Sequence, residues 1–302
     1  MSSLLPLVDD EISVVHLVHL DDLWFQVAGT LCNLACTHCF ISCSPHNHEF
    51  EMLPLNIVER TLAESVPWGV KEYYFTGGEP FLHPDLVSML ERTLDYGPVS
   101  VLTNATVLKP EWLRRLRAAE EHSRYSLEFR VSIDGPSPET NDPIRGPGTF
   151  VRAMRGVGLL VEHGFLPIIT VTRVWEDDND DRVLADFRRV LHDNGYSRPR
   201  LKVLPRLRLG AEATRTVGYA SDERVTAERL ADYDALQLIC SHSRVVTNRG
   251  VWVCPILLDA PDARLGGSLA EAERPFALQY GACYTCYQYG AICTNPSATM
   301  RE

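Results

Sequence analysis

Leu31-Cys32-Asn33-Leu34-Ala35-Cys36-Thr37-His38-Cys39-Phe40 carries three cysteines on one short loop, spaced C-x3-C-x2-C. Thiolates are soft ligands that suit iron–sulfur clusters, zinc and copper(I). Three of them can hold three irons of a four-iron cubane and leave the fourth iron open to a substrate or cofactor. A half-formed zinc knuckle has similar spacing, so the loop by itself leaves both metals open. Just upstream, Leu23-Trp-Phe-Gln-Val-Ala-Gly29 is apolar with a β-favouring core and runs directly into the cysteines.

Downstream of the loop, strand-like and helix-like segments alternate. Strands are expected at Glu72–Thr76, Val99–Thr103, Leu127–Ser132, Pro167–Arg173 and Arg200–Leu204. Helical patterns lie between them near Leu55–Val66, Pro84–Tyr96, Glu111–Glu120, Thr149–His163 and Asp180–Asn194. Such alternation implies βαβ units and a parallel sheet. Six units without a second Rossmann-type phosphate loop predict an α/β fold, a partial (β/α)6 TIM-like barrel rather than an open sheet. Chemistry then belongs at the C-terminal ends of the strands. Residues 1–215 form this barrel and residues 216–302 a small C-terminal β-hairpin/helix domain. Pro205–Arg224 reads as a linker, Leu230–Ile239 as a helix leading to Cys240, and Arg244–Val253 as a β-hairpin turning at Asn248-Arg-Gly250.

The strand ends carry motifs. Tyr74-Phe-Thr-Gly-Gly-Glu-Pro80 ends the second strand, and its two glycines let the backbone approach a ligand closely. Val101-Leu-Thr-Asn104 ends the third strand, and Val131-Ser-Ile-Asp-Gly135 ends the fourth. Ser132 and Asp134 alternate onto one face. With the cysteine loop, these stretches resemble the radical S-adenosylmethionine (radical SAM) superfamily over about residues 23–175. The resemblance implies that Cys32, Cys36 and Cys39 hold a [4Fe-4S] cluster whose open iron chelates S-adenosylmethionine. One electron then cleaves the sulfonium and releases a 5′-deoxyadenosyl radical. It further implies that the backbone of Gly77 and Gly78 and the Glu79 side chain hold the methionine amino group. Asn104 would meet the methionyl or ribose portion, although a turn-forming Asn explains it as well. Ser132 and Asp134 would supply ribose and substrate-side polar contacts, and Arg145 would lie near the cofactor carboxylate. Thr170 and Thr172 read as adenine-side contacts or as core. His38 stands where the family has an aromatic residue whose backbone meets the adenine, Ala105 stands in place of a glycine, and Asn141 stands where relatives often have His.

A second cysteine group, Cys240, Cys254, Cys283, Cys286 and Cys293, is arranged C-x13-C, a gap, then C-x2-C-x6-C. Together with Leu265-Gly-Gly-Ser-Leu269 it resembles the SPASM/twitch C-terminal extensions of radical SAM enzymes. The resemblance implies one auxiliary [4Fe-4S] cluster on Cys240, Cys254, Cys283 and Cys286, or on Cys254, Cys283, Cys286 and Cys293. A four-cysteine zinc site is the other reading. Cys43 and Cys293 are then spare, either as inert buried thiols or as hydrogen-atom donors beside the substrate.

Composition bounds the partners. A net charge of −11 over 302 residues argues against a nucleic-acid surface. The basic stretch Arg198-Pro-Arg-Leu-Lys-Val-Leu-Pro-Arg-Leu-Arg208 reads as a solvated strand-and-loop edge. No segment approaches the roughly 20 apolar residues of a membrane span. Met1–Asp10 lacks the features of a secretory signal, and cysteines grouped at short spacing point to metal ligation, so a cytoplasmic setting is expected. About 22 residues precede the first barrel strand, fewer than the leader-recognition domain common in peptide maturases. The end Ala298-Thr-Met-Arg-Glu302 lacks the Gly-Gly of the related molybdenum-cofactor cyclase. The expected activity is hydrogen-atom abstraction from a small molecule such as a sugar, aminocyclitol or other natural-product intermediate. It would give dehydrogenation or epimerisation, fed by an external one-electron donor such as flavodoxin or ferredoxin. The alternatives are a maturase of ribosomal peptides and a non-catalytic zinc-binding protein.

Overall fold

The computed structural model describes residues 12–175, 179–290 and 292–294; the readings of Met1–Asp10 and Ala298–Glu302 lie outside these. After a short β1 (Val14–Val15), six strands run parallel and neighbour one another in chain order. They are β2 (Asp22–Gln26), β3 (Glu72–Thr76), β4 (Val99–Thr103), β5 (Leu127–Ser132), β6 (Ile168–Thr172) and β7 (Arg200–Leu204). Helices α1 (Leu55–Ser65), α2 (Leu86–Thr93), α3 (Pro110–His122), α4 (Pro138–Arg145), α5 (Thr149–Glu162) and α6 (Asp180–Asp193) make the crossovers. The expected strands and helices are present in order, with α4 as an unforeseen addition between β5 and β6.

Two periodicities build the layers. In β2, Leu23 and Phe25 are fully buried, while Trp24 and Gln26 alternate with them and line the barrel interior. There Trp24 stacks on Tyr74, with ring centroids 4.1 Å apart. α1 buries Val58, Thr61, Leu62 and Ser65, the i, i+3, i+4, i+7 stripe of an amphipathic helix. Burying Val58 and Leu62 stabilises by about 2 kcal/mol each.

The sheet continues past β2. β8 (Ser243–Thr247) pairs with β2 in parallel, and β9 (Gly250–Trp252) and β10 (Arg264–Gly266) follow antiparallel. β7 and β10 are the outer strands of this nine-stranded sheet, so the barrel is partial and open. The Arg244–Val253 hairpin thus joins the barrel sheet, and the stretches on either side of residue 215 share it. β11 (Phe276–Ala277) pairs with β1.

Two expectations are corrected. Pro205–Arg224 contains a helix, α7 (Gly210–Arg215), held by an i, i+3 pair of Glu212 with Arg215 at 2.7 Å. Leu230–Ile239 is not one helix: α8 (Ala227–Leu230) ends, and two 3₁₀ turns follow at Ala235–Gln237 and Ile239–Ser241. Asp234 causes the break by accepting from Leu236 N–H at 3.0 Å, a local bond that competes with helix propagation. α9 (Gly281–Tyr289) completes the described chain's helices.

Candidate active site

The turn after β3 holds the cysteine loop through backbone. Gly78 N–H donates to Gly29 O and Glu79 N–H to Leu31 O, each at 3.0 Å. A Cβ on Gly78 would lie 2.0 Å from Leu31 O, and Gly77 sits at φ +141°, so glycine is required at both positions. Cys32, Cys36 and Cys39 line one cavity, faced by Gly77, Gly78 and Ser132. Nitrogen donors reach two of the sulfurs: Leu34 N–H (3.4 Å) and Asn104 Nδ2 (3.8 Å) to Cys32, and Cys43 N–H (3.2 Å) to Cys39. Burial pushes Cys32 up to about 12, whereas a hydrogen bond from the Cys43 thiol brings Cys39 down to about 6. Soft donors on one wall and close-approach backbone opposite fit a three-cysteine [4Fe-4S] cluster with a ligand on its open iron. Thr170 Oγ1, buried at the same cavity without a hydrogen-bond partner, fits a polar ligand there.

Two acids expected at the cofactor are buried and bonded to the protein. Glu79 is fully buried; its carboxylate accepts from Phe81 N–H (3.1 Å), Thr103 Oγ1 (2.7 Å) and Asn104 N–H (2.7 Å). Burial pushes it up to about 7 against those donors. It braces the turn after β4 and is not among the residues that line the cavity. Asp134 is likewise buried, with Oδ2 at 2.5 Å from Arg145 Nε and 2.7 Å from His38 Nε2. Its Oδ1 accepts from Thr172 N–H at 2.8 Å. Burial alone would raise this carboxyl, but the Arg145 guanidinium and His38 hold it below the usual carboxylate range. Asp134 therefore holds His38 and Arg145, both of which line the cavity. The His38 side chain clamps the cysteine loop to the end of β5.

The remaining strand-end residues fall where the sequence placed them. Asn104, Thr170 and Thr172 line the cavity. Ala105 keeps φ +56°, the left-handed backbone a glycine adopts freely, at a cost of about 1–3 kcal/mol. Asn141 is fully buried, accepting from Asp134 N–H (3.0 Å) and donating to Thr149 Oγ1 (3.0 Å), a latch rather than a ligand.

A second cavity shares Thr76, Leu102, Thr170 and Leu204 with the first and continues into the barrel interior to Arg130, Lys202 and Cys293. Arg130 Nη1 donates to Cys293 O (2.7 Å), and Lys202 Nζ donates to Thr294 O (2.6 Å). These two grips hold Cys293 at the cavity wall. Burial lowers Lys202 to about 8. The basic stretch Arg198–Arg208 is thus no simple solvated edge: Arg200 pairs with Glu128 at 2.7 Å, Arg208 pairs with Glu223, and Lys202 turns inward. Strand alternation at Arg200, Lys202 and Leu204 was the available signal for that inward turn.

The four cysteines Cys240, Cys254, Cys283 and Cys286 line one apolar cavity in the C-terminal region. Cys283 and Cys286 lie three residues apart on α9 and share a face. Cys293 lines the barrel cavity and also lies near enough to Cys286 and Cys254 for their charges to act on one another, so both ligand sets stay open. Burial raises all four thiols, Cys240 to about 12, Cys254 to about 11, and Cys283 and Cys286 well above the ordinary value. Such thiols ionise when a metal replaces their protons, which fits thiolate ligation. Cys43 lines the first cavity beside Cys39. One further contact was not legible in the sequence. Gly210 (φ +53°) opens α7 so close to the loop that a Cβ would lie 2.5 Å from Phe40 O, and Ala211 N–H donates to Cys39 O at 2.9 Å.

Comparison with known proteins places this geometry. A family model described as "Radical SAM superfamily" matches residues 27–190. An AdoMet-dependent heme synthase of Methanosarcina barkeri is 35% identical over 202 residues, covering 56% of this chain and 56% of that protein. The mycofactocin maturase MftC of Mycobacterium ulcerans is 32% identical over 160 residues, covering 51% of this chain and 42% of the maturase. The chain thus spans about half the length of these curated relatives. Among solved structures, Streptococcus suis SuiB bound to precursor peptide SuiA aligns with a TM-score of 0.61 at 15% identity, covering 82% of this chain and 62% of SuiB. At that identity the likeness concerns the fold.

Proposed function

This chain belongs to the radical SAM superfamily, and on that footing we propose that it abstracts a hydrogen atom from an amino-acid residue of a peptide, as a peptide maturase. The carrying observation is the cavity that runs from the three-cysteine loop into the barrel and reaches Cys293. A relative named as a maturase and a fold neighbour bound to its precursor peptide support a peptide over the sugar or aminocyclitol expected from the sequence. The similarity to a heme synthase supports a second reading, a small-molecule substrate.

When bound, the cluster on Cys32, Cys36 and Cys39 supplies the electron that cleaves S-adenosylmethionine and so generates the hydrogen-abstracting radical. The protein's part is positional. Gly77 and Gly78 present backbone to the methionine end, Arg145 offers its guanidinium to the carboxylate, and Ser132 and Thr170 offer hydroxyls to the nucleoside. Asp134 fixes Arg145 and His38 so that these contacts do not wander. The substrate residue occupies the inner cavity, where Cys293 gives it a hydrogen atom. An external one-electron donor such as flavodoxin or ferredoxin, with a proton, restores the thiol. A second [4Fe-4S] cluster on Cys240, Cys254, Cys283 and Cys286 completes the cofactor set.

Mass spectrometry tests this reading. Reduced enzyme, S-adenosylmethionine and either a peptide fraction or a small-metabolite fraction of a cell extract are incubated in deuterated water. The proposal expects 5′-deoxyadenosine release and a product only with peptide, carrying one solvent deuterium. Cys293→Ala should lose that deuterated product by at least about tenfold while keeping its iron. Products confined to the metabolite fraction favour the second reading. An oxidised product without deuterium removes Cys293 as a donor, and iron loss in Cys293→Ala makes it a ligand.

A further inference from the structure

Arg244, the second residue of β8, is buried to 1% exposure. Its guanidinium donates from Nε to Ala272 O (2.7 Å) and from Nη1 to Cys240 O (2.8 Å) and Ser243 O (2.7 Å), with a longer contact from Nη2 to Arg274 O (3.4 Å). Every acceptor is a neutral carbonyl. Among the described residues Arg244 makes no ion pair with a carboxylate. Carbonyl dipoles satisfy the N–H groups but leave the net charge uncompensated, and an uncompensated buried charge is costly.

Once a metal displaces their protons, the cysteines are the anionic groups at hand. Nη1 is bonded to the carbonyl of Cys240 itself, and the thiols of Cys240 and Cys254 are the groups whose charge acts on this guanidinium. A cubane held by four thiolates carries a net charge of about −2 oxidised and about −3 reduced, and neighbouring charge sets its potential. We propose that Arg244 is the buried counter-charge of the C-terminal iron–sulfur site and raises its reduction potential. The inference rests on the four-cysteine cluster in the proposed function. Its direction follows from electrostatics: reduction adds negative charge beside a fixed cation, so the cation favours the reduced form. A higher potential suits this site to accepting an electron during turnover.

A redox titration followed by electron paramagnetic resonance tests this on the full chain. Loop cysteines 32, 36 and 39 are replaced by alanine so that only the C-terminal site reports. Arg244→Gln is expected to keep roughly four irons and to shift the reduction equilibrium at least tenfold toward the oxidised form, about 59 mV lower for one electron. Arg244→Lys, which keeps the charge, is expected to stay near the parent potential. A Gln variant with full iron and an unchanged potential overturns the proposal. If the Gln variant fails to fold, the Lys variant decides: a potential near the parent's supports the counter-charge, and one at least tenfold lower in equilibrium overturns it. A parent chain that holds zinc and no iron fails the underlying cluster reading, and the proposal with it, through metal content rather than potential.

Discussion

Cys36→Ala is expected to abolish S-adenosylmethionine cleavage, with 5′-deoxyadenosine formation falling by at least about a thousandfold. Iron should fall from roughly eight to roughly four per chain on the two-cluster stoichiometry. Cys36 lies between Cys32 and Cys39 on the loop, all three line one cavity, and a cubane with two protein ligands has lost its anchor. The four C-terminal thiols line a separate cavity and should keep their irons. Cys43→Ala is the control. Cys43 lines the same cavity and bonds Cys39, so full iron in that variant separates a neighbouring thiol from a ligand. Iron content and 5′-deoxyadenosine, measured together, check both statements; unchanged iron in Cys36→Ala contradicts the assignment.

The second large effect is on stability. Asp134→Ala should cost about 3–5 kcal/mol, because it leaves Arg145 and His38 against each other without their shared carboxylate. It also deprives Thr172 N–H of its acceptor. Asp134→Asn keeps an acceptor and should lose less. The pH dependence follows from the depressed carboxyl. A group held lower in the folded than in the unfolded state contributes stability above its unfolded pKa of about 3.9 and loses it as pH falls through the folded value. The gap between wild type and Asp134→Ala in denaturant unfolding should therefore hold steady from neutral pH down to about 4 and narrow below it. A gap that is constant through acid, or absent at neutral pH, contradicts the ion pair.

Much of the fold was legible because it rests on local signals. Periods of two and of about 3.6 placed β2 to β7 and the intervening helices other than α4, and glycines at Gly77 and Gly78 marked the close approach. Cys32, Cys36, Cys39, Asn104, Ser132 and Arg145, named from the sequence, all line the first cavity, since strand ends of a barrel converge. Side-chain direction was less legible. Glu79 and Asp134 lie beside the cavity in sequence but face donors supplied by Thr103, Asn104, Thr172 and Arg145, which only tertiary packing brings near. The same limit hid the approach of Gly210 to Cys39 and Phe40, a contact across about 170 residues of chain. Parallel pairing of β8 with β2 was hidden too, since a hairpin pattern states only its own antiparallel partner.

On the proposed function, the loop bearing Cys32, Cys36 and Cys39 holds an iron–sulfur cluster at which S-adenosylmethionine is cleaved. The direct measurement is on anaerobically purified, iron- and sulfide-reconstituted protein, assayed for metal, absorbance and 5′-deoxyadenosine. A brown protein absorbing near 400 nm, with roughly eight irons per chain and 5′-deoxyadenosine formed only with reductant, is the predicted result. A colourless protein that retains stoichiometric zinc and releases no 5′-deoxyadenosine would contradict it.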